Sequence, residues 1–222
     1  QVFSSVSEKY DLMNDLMSFG LHRFWKNVAS KLCILKKGEK ILDLAGGTGD
    51  LSHLISNQIE ENTQLFLSDI NHKMLLKGKE ALTNKGKVVP CIQCDAEGLP
   101  FNSGSFDCVV ISFGLRNMTD KNRVLAEIFR ILNPGGRLVI LEFSKVSKPL
   151  NKLYDLYTFN ILPFLGKKVV KDEESYRYLA ESIKIHPSQE TLKKMMESEG
   201  FKKVDYYNLT AGVVAVHRGF KF

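Results

Sequence analysis

A chain of 222 residues with 44% apolar content is long enough and apolar enough for one large α/β domain with a proper core. No stretch approaches the roughly 20 consecutive apolar residues that span a bilayer, no signal-peptide pattern opens the chain, and the first residue is Gln1, which leaves a preceding or removed targeting segment open. The net charge of +6 is uneven: residues 1–144 hold 17 Lys/Arg against 16 Asp/Glu and residues 145–222 hold 14 against 9, so the last third suits an anionic membrane surface or nucleic acid, unless it is a solvated face.

The first notable stretch is YDLMNDLMSFGLHRFWK, residues 10–26, which holds the only Trp. Leu12, Met13, Leu16 and Met17 recur on one face of a helix that Gly20 can end. Short apolar runs then alternate with helical patterns. Strands are expected over 40–44, 65–69, 88–94, 106–112 and 137–143, and helices over 50–57, 72–84 and 121–132. Asn133-Pro-Gly-Gly136 reads as a helix stop and turn.

Residues 145–187 form a long, mostly helical insertion rich in Tyr, Phe and Leu. Ser188 then caps a helix that ends at Gly200, and strands over 202–209 and 213–220 are joined by Thr210-Ala-Gly212. A hairpin of this kind makes one strand antiparallel to the rest. The expected architecture is therefore a Rossmann-like α/β fold: a doubly wound, mostly parallel seven-stranded sheet closed by a C-terminal antiparallel hairpin. It forms one domain over 1–222, with 1–30 as an N-terminal lid and 145–187 covering the active site.

The four cysteines are Cys33, Cys91, Cys94 and Cys108. Cys91 and Cys94 have metal-like spacing but no second pair, and in a strand side chains three apart face opposite ways. Buried thiols in a reducing cytosol are the simpler reading, and no metal is expected. Asn117-Met-Thr119 and Asn208-Leu-Thr210 match the glycosylation pattern, which a cytosolic protein does not use.

ILDLAGGTGD, residues 41–50, is a strand, a Gly-rich turn and a helix start. Gly46, Gly47 and Gly49 let the backbone turn tightly and approach a ligand. Asp69 follows Gly49 by 20 residues, at the end of the next strand, where an acid accepts hydrogen bonds from ribose hydroxyls. A Walker loop needs Gly-Lys-Ser/Thr, but Asp50 follows Gly49 here. A dinucleotide loop needs a third glycine where Ser52 stands. An acid at a helix N-terminus is awkward for a pyrophosphate. It is tolerable for S-adenosylmethionine, which has no phosphate and carries a sulfonium and an ammonium. No Tyr has Lys four positions on, so the dehydrogenase pattern is missing. Asp95, in CDAEGLPF, can accept the adenine amino group, Ala96 offers its backbone, and Ser112 ends the fourth strand beside the reaction point.

With these motifs the sequence resembles the class I methyltransferases, and more closely the ubiquinone/menaquinone biosynthesis C-methyltransferases. The likeness covers nearly the whole chain and rests on YDLMNDLMSFGLHRFWK, LDLAGGTGD, SFGLRNMTD, ILNPGGRLVILEFSK, SYRYLAESIKIHPSQETL and NLTAGVVAVHRGFKF. Two departures stand out, neither of them expected to touch the site: Ala45, where many methyltransferases have Gly, and Asn133, where this family often has Lys. The resemblance implies S-adenosylmethionine as cofactor, contacted by Thr48, Asp69, Asp95, Ala96 and Ser112. It implies as substrate a polyprenylated benzoquinol or demethylmenaquinol, methylated on a ring carbon.

A ring carbon is a poor nucleophile until a neighbouring hydroxyl ionises. A phenol has a pKa of about 10, so ionising it at neutral pH costs about 4 kcal/mol. A base or a positive charge must supply that. Arg116, after the fourth strand, is the expected charge unless it serves a structural salt bridge. His22 is the candidate base unless it is structural, and Asn117 can orient a hydroxyl. On this reading residues 10–26 are a lid over the quinol, with core packing as the plainer alternative.

Two rivals stay open. A methyltransferase for nucleic acid or another small molecule suits the charge, but Ser112-Phe-Gly-Leu115 stands where base methylation commonly has Pro-Pro-aromatic, and no Lys/Arg stripe with interleaved aromatics is visible, so no nucleic-acid partner is expected. A non-catalytic subunit of a quinone-biosynthesis complex would not need the intact loop and Asp69. The expected location is cytoplasmic and peripheral on an anionic membrane face, with a homodimer or a place in such a complex left open.

Overall fold

The computed structural model describes Ser18 and residues 20–146 and 173–222, with side chains from 177 onward in the last segment. Helices are α1 (Leu21–Leu32), α2 (Asp50–Ser56), α3 (His72–Asn84), α4 (Lys121–Ile131), α5 (Glu173–Ile185) and α6 (Gln189–Ser198). Strands are β1 (Lys40–Leu44), β2 (Gln64–Asp69), β3 (Cys91–Gln93), β4 (Phe106–Ser112), β5 (Leu132–Phe143), β6 (Lys202–Leu209) and β7 (Val214–Phe220). They form one sheet in the order β3-β2-β1-β4-β5-β7-β6. β7 alone runs antiparallel to the other strands, and this second strand of the hairpin slots between β5 and β6.

Alternation along each strand divides the core. Ile41, Val110, Val139 and Leu141 face Trp25 and Ala29 of α1, Leu51 and Ile55 of α2, and Leu179 and Ile183 of α5. Leu42, Val109, Ile111, Leu138 and Ile140 face Val124 and Ile128 of α4 and Leu192 and Met196 of α6. Strands buried on both faces read as continuous apolar runs, which made the central ones legible.

Three expectations shift. The strand expected over 88–94 contracts to β3, because Pro90 has no N–H for a ladder and Val88 stands 94% exposed. β5 starts at Leu132, not 137. Its pairing jumps from Phe106↔Leu132 to Cys108↔Arg137, so Asn133–Gly136 bulges out, with Gly135 at φ 82°. In the first stretch, Ser18 is helical, Gly20 is left-handed at φ 77°, and a further helix, α1, begins at Leu21. The face built on Leu12, Met13, Leu16 and Met17 lies outside the described residues.

Trp25 is core. It is 2% exposed, packs edge-on against Phe143 and donates from Nε1 to Thr210 Oγ1 at 2.8 Å, tying α1 to the hairpin turn. Arg137 reaches the C-terminal end of α1: it pairs with Glu39 at 2.7 Å and donates to the carbonyls of Cys33 and Ile34.

Among the described residues no helix is long and apolar enough to cross a membrane. No group of three His, Cys, Asp or Glu among them could hold a metal ion.

Candidate functional site

The site lies at the carboxyl edge of the sheet, where β1 and β4 end side by side. Two non-glycine residues there take left-handed backbone, Ala45 at φ 57° and Phe113 at φ 56°. Such residues cost about 1 kcal/mol or more apiece and persist only where the surroundings hold them. The neighbouring turns leave no slack. A Cβ on Gly114 would stand 2.8 Å from Ala45 Cβ, and one on Gly46 would meet Leu67 at 2.4 Å and Asp43 at 2.7 Å. A Cβ on Gly78 of α3 would stand 2.5 Å from the Gly47 carbonyl oxygen. Gly47, at φ 55°, and Gly49, at φ 78°, take the same left-handed region without the cost a side chain would add.

Three acids surround this loop, each in a different electrostatic setting. Asp69 ends β2; its Oδ2 accepts from the Gly47 N–H at 3.0 Å and its Oδ1 from the Asn71 N–H at 2.7 Å. Burial raises its pKa, opposed by those two hydrogen bonds. Asp43 is fully buried beneath the loop. Burial raises it to about 6 despite the Ser52 hydroxyl at 2.6 Å and the charge of Lys26, and its Oδ1 has no hydrogen-bond partner. Asp50 is also pushed up by burial, but Lys26 Nζ at 2.7 Å outweighs that and leaves it below the usual carboxylate range. Lys26 thus joins α1 to the first turn of α2.

A cavity of about 230 Å³ opens beside the loop. Of the expected cofactor residues, Gly47, Asp69, Asp95 and Ala96 line it, and so does Asn117. Gly46, Thr48 and Gly49 lie in the loop without lining the cavity. Ser112 does not line it, and its buried hydroxyl has no hydrogen-bond partner. The lining also includes Ala45, Asn71, Glu97 and Phe113, which sequence reasoning missed. Asn71 had a legible signal, since its side chain caps α3 by accepting from the N–H groups of Lys73 and Met74. Glu97 had none: its carboxylate accepts from Thr119 and Asp120 N–H at 3.0 Å, 22 and 23 residues away.

The lining holds three carboxylates, Asp69, Asp95 and Glu97, and neither Lys nor Arg. That set of acceptors suits a ligand bearing positive charge and hydroxyls, and it is ill suited to a pyrophosphate. The residues therefore fit the sulfonium cofactor that the motifs imply.

The other two expected catalytic residues lie off the cavity. The Arg116 side chain is 5% exposed and pairs with Glu142 Oε1 at 3.0 Å, and its Nη1 also donates to the Phe113 carbonyl. Its own N–H donates to Glu142 Oε2 at 3.1 Å, so the ion pair also fixes the 3₁₀ turn Leu115–Asn117. Its Nε is buried without a partner. His22 is 4% exposed on α1, with Nδ1 2.9 Å from Ser18 Oγ.

Cys33, Cys94 and Cys108 are buried thiols, while Cys91 is half-buried. Burial pushes Cys91 and Cys94 up, and the neighbouring Cys108 thiol together with burial raises Cys33, whose Sγ donates to the Ala29 carbonyl at 3.4 Å.

The model of the ubiE/COQ5 methyltransferase family matches residues 1–221. The ubiquinone/menaquinone biosynthesis C-methyltransferase UbiE of Nitrosospira multiformis is 55% identical over 221 residues, 100% of this chain and 91% of that protein. The protein of the same name from Cronobacter sakazakii is 57% identical over 225 residues, 100% of this chain and 90% of that one. Among solved structures, a SAM-dependent methyltransferase from Aquifex aeolicus superposes with a TM-score of 0.67 at 17% identity, covering 91% of this chain and 92% of that one; it speaks for the fold alone.

Proposed function

The chain belongs to the ubiE/COQ5 methyltransferase family, and from that premise we propose that it moves a methyl group from S-adenosylmethionine to a ring carbon of a polyprenylated benzoquinol or of demethylmenaquinol. The observation that carries the cofactor is the acid-lined cavity without a basic residue beside the Gly47–Asp69 hydrogen bond. The name of the relatives supports the substrate class.

Asp69 holds the ribose hydroxyls while its other contacts keep the Gly47 loop closed around the ligand. Asp95 and Ala96 hold the adenine. When bound, the cofactor supplies an electrophilic methyl group. The reduced quinol is the methyl acceptor, because only its ionised hydroxyl pushes electron density onto the ring carbon, which then gives up its proton to solvent and regains aromaticity. Asn117, the expected catalytic residue that lines the cavity, donates to that hydroxyl oxygen. Arg116 sets the turn from behind, and any charge it lends the phenolate is shared with Glu142.

The prenyl tail suggests a peripheral site on an anionic membrane. The segment proposed to rest there, residues 150–172 with Lys167, Lys168 and Lys171, lies outside the described residues.

The direct test follows labelled methyl transfer from S-adenosylmethionine to a short-tailed quinol with and without reductant. Labelled ring-methyl product only under reducing conditions is expected. No product with either quinol class removes the substrate reading.

A further inference from the structure

The Tyr178 hydroxyl donates to Asn117 Oδ1 at 3.3 Å, across 61 residues of sequence. Asn117 lines the cavity, and its backbone is locked by an N–H bond to the Gly114 carbonyl at 3.1 Å. Tyr178 sits on α5. The next residues, Leu179 and Ala180, are 4% and 2% exposed, and Leu179 and Ile183 pack into the cluster that holds Phe113 and Phe143. The helix is therefore seated on the sheet, and the hydroxyl is delivered to Asn117 by a fixed element.

A side-chain amide has one acceptor and one donor end. With the oxygen engaged by a hydroxyl that can donate, the NH₂ end is the one presented elsewhere. We propose that Tyr178 is a positioning residue: it holds Oδ1 of Asn117 so that Nδ2 faces the cavity as a donor to an oxygen of the ring substrate. The inference rests on the quinol reading for the identity of that oxygen, though not for the orientation of the amide. It also gives the enzyme a tie between α5 and the wall of the cofactor cavity. The ionising hydroxyl then meets a neutral donor, which stabilises negative charge without a full buried cation.

Tyr178→Phe keeps the ring and removes only the hydroxyl. It is expected to lower kcat for a short-tailed quinol about three- to tenfold, the range of one net hydrogen bond. Cofactor KM and thermal midpoint should hold, which a merely structural role would not allow. In an Asn117→Ala background the same change should cost nothing further. A full-rate Tyr178→Phe, or a loss of equal size in both backgrounds, overturns the proposal.

A second measurement does not depend on the substrate. The ¹⁵N side-chain NH₂ resonances of Asn117, followed in protein saturated with S-adenosylhomocysteine, should shift in Tyr178→Phe. Unmoved resonances overturn the proposal by themselves. Moved resonances in an enzyme that methylates no quinol leave the positioning in place and count against the quinol reading alone.

Discussion

Arg116 and Glu142 face each other at 3.0 Å with side chains 5% and 1% exposed, one in the turn after β4 and the other near the end of β5. Removing one partner of such a pair strands a charge and typically costs about 3–5 kcal/mol, whereas replacing both with apolar residues is often nearly neutral. Arg116→Ala alone therefore confuses lost stability with lost catalysis. We expect Arg116→Ala to lower stability by about 3 kcal/mol or more in urea unfolding, and Arg116→Met with Glu142→Leu to recover most of it. Turnover by the stable double variant then isolates chemistry: a near-normal kcat leaves Arg116 a purely structural residue.

Asp69→Ala should weaken cofactor binding by about 1.5–3 kcal/mol, the worth of hydrogen bonds to a charged group. The Gly47 N–H loses its acceptor in the same change, so Asp69→Asn should keep part of the affinity. Unchanged affinity of both variants in calorimetry would take Asp69 out of the binding site.

Gly78→Ala tests the packing of α3 on the loop. Its Cβ would stand 2.5 Å from the Gly47 oxygen, so helix or loop must move. A destabilisation of about 1–3 kcal/mol is expected from overpacking, with weaker cofactor affinity. A variant of wild-type affinity and melting temperature means that the contact is slack.

Asp43 makes stability depend on pH. Its folded pKa, about 6, lies above the ordinary carboxylate value of 3.8, so between the two the folded state holds more protons and stability falls as pH rises. The penalty grows from about pH 4 to about pH 6 and amounts to roughly 3 kcal/mol. Asp43→Asn should flatten that limb. An unchanged pH slope in denaturant unfolding at pH 4.5 and 7 would locate the titration elsewhere. Asp50 runs the opposite way: its pKa is depressed, so its contribution is present above the ordinary carboxylate range and lost as pH falls. Its side chain is more than a third exposed, and Lys26→Met should cost about 1 kcal/mol.

Residues 150–172 predict reversible, salt-sensitive binding to anionic vesicles. Changing Lys167, Lys168 and Lys171 to Gln should weaken it, since each lysine near such a surface contributes about 1 kcal/mol. Turnover of long-tailed quinols should slow while short-tailed ones are spared. Sedimentation that shows no binding even at low salt ends the docking idea.

Much of the frame is written locally. Short, near-continuous apolar runs mark β1, β2 and β4, helix caps at Asn71, Asp120 and Ser188 mark α3, α4 and α6, and the Gly47–Asp69 pair follows from a turn and the end of the next strand. These signals are legible because each depends on residues within a turn or on one βαβ repeat. The slot of β7 between β5 and β6, the Trp25–Thr210 bond across 185 residues, the capture of Arg116 by Glu142 and the reach of Tyr178 to Asn117 are long-range facts. Periodicity tells which face of an element is apolar and leaves its distant partner open. So a charged side chain at the right edge of the sheet could be read from the sequence, but whether that charge faces a substrate or a buried carboxylate was decided only by tertiary packing, which brings the second strand of the pair alongside.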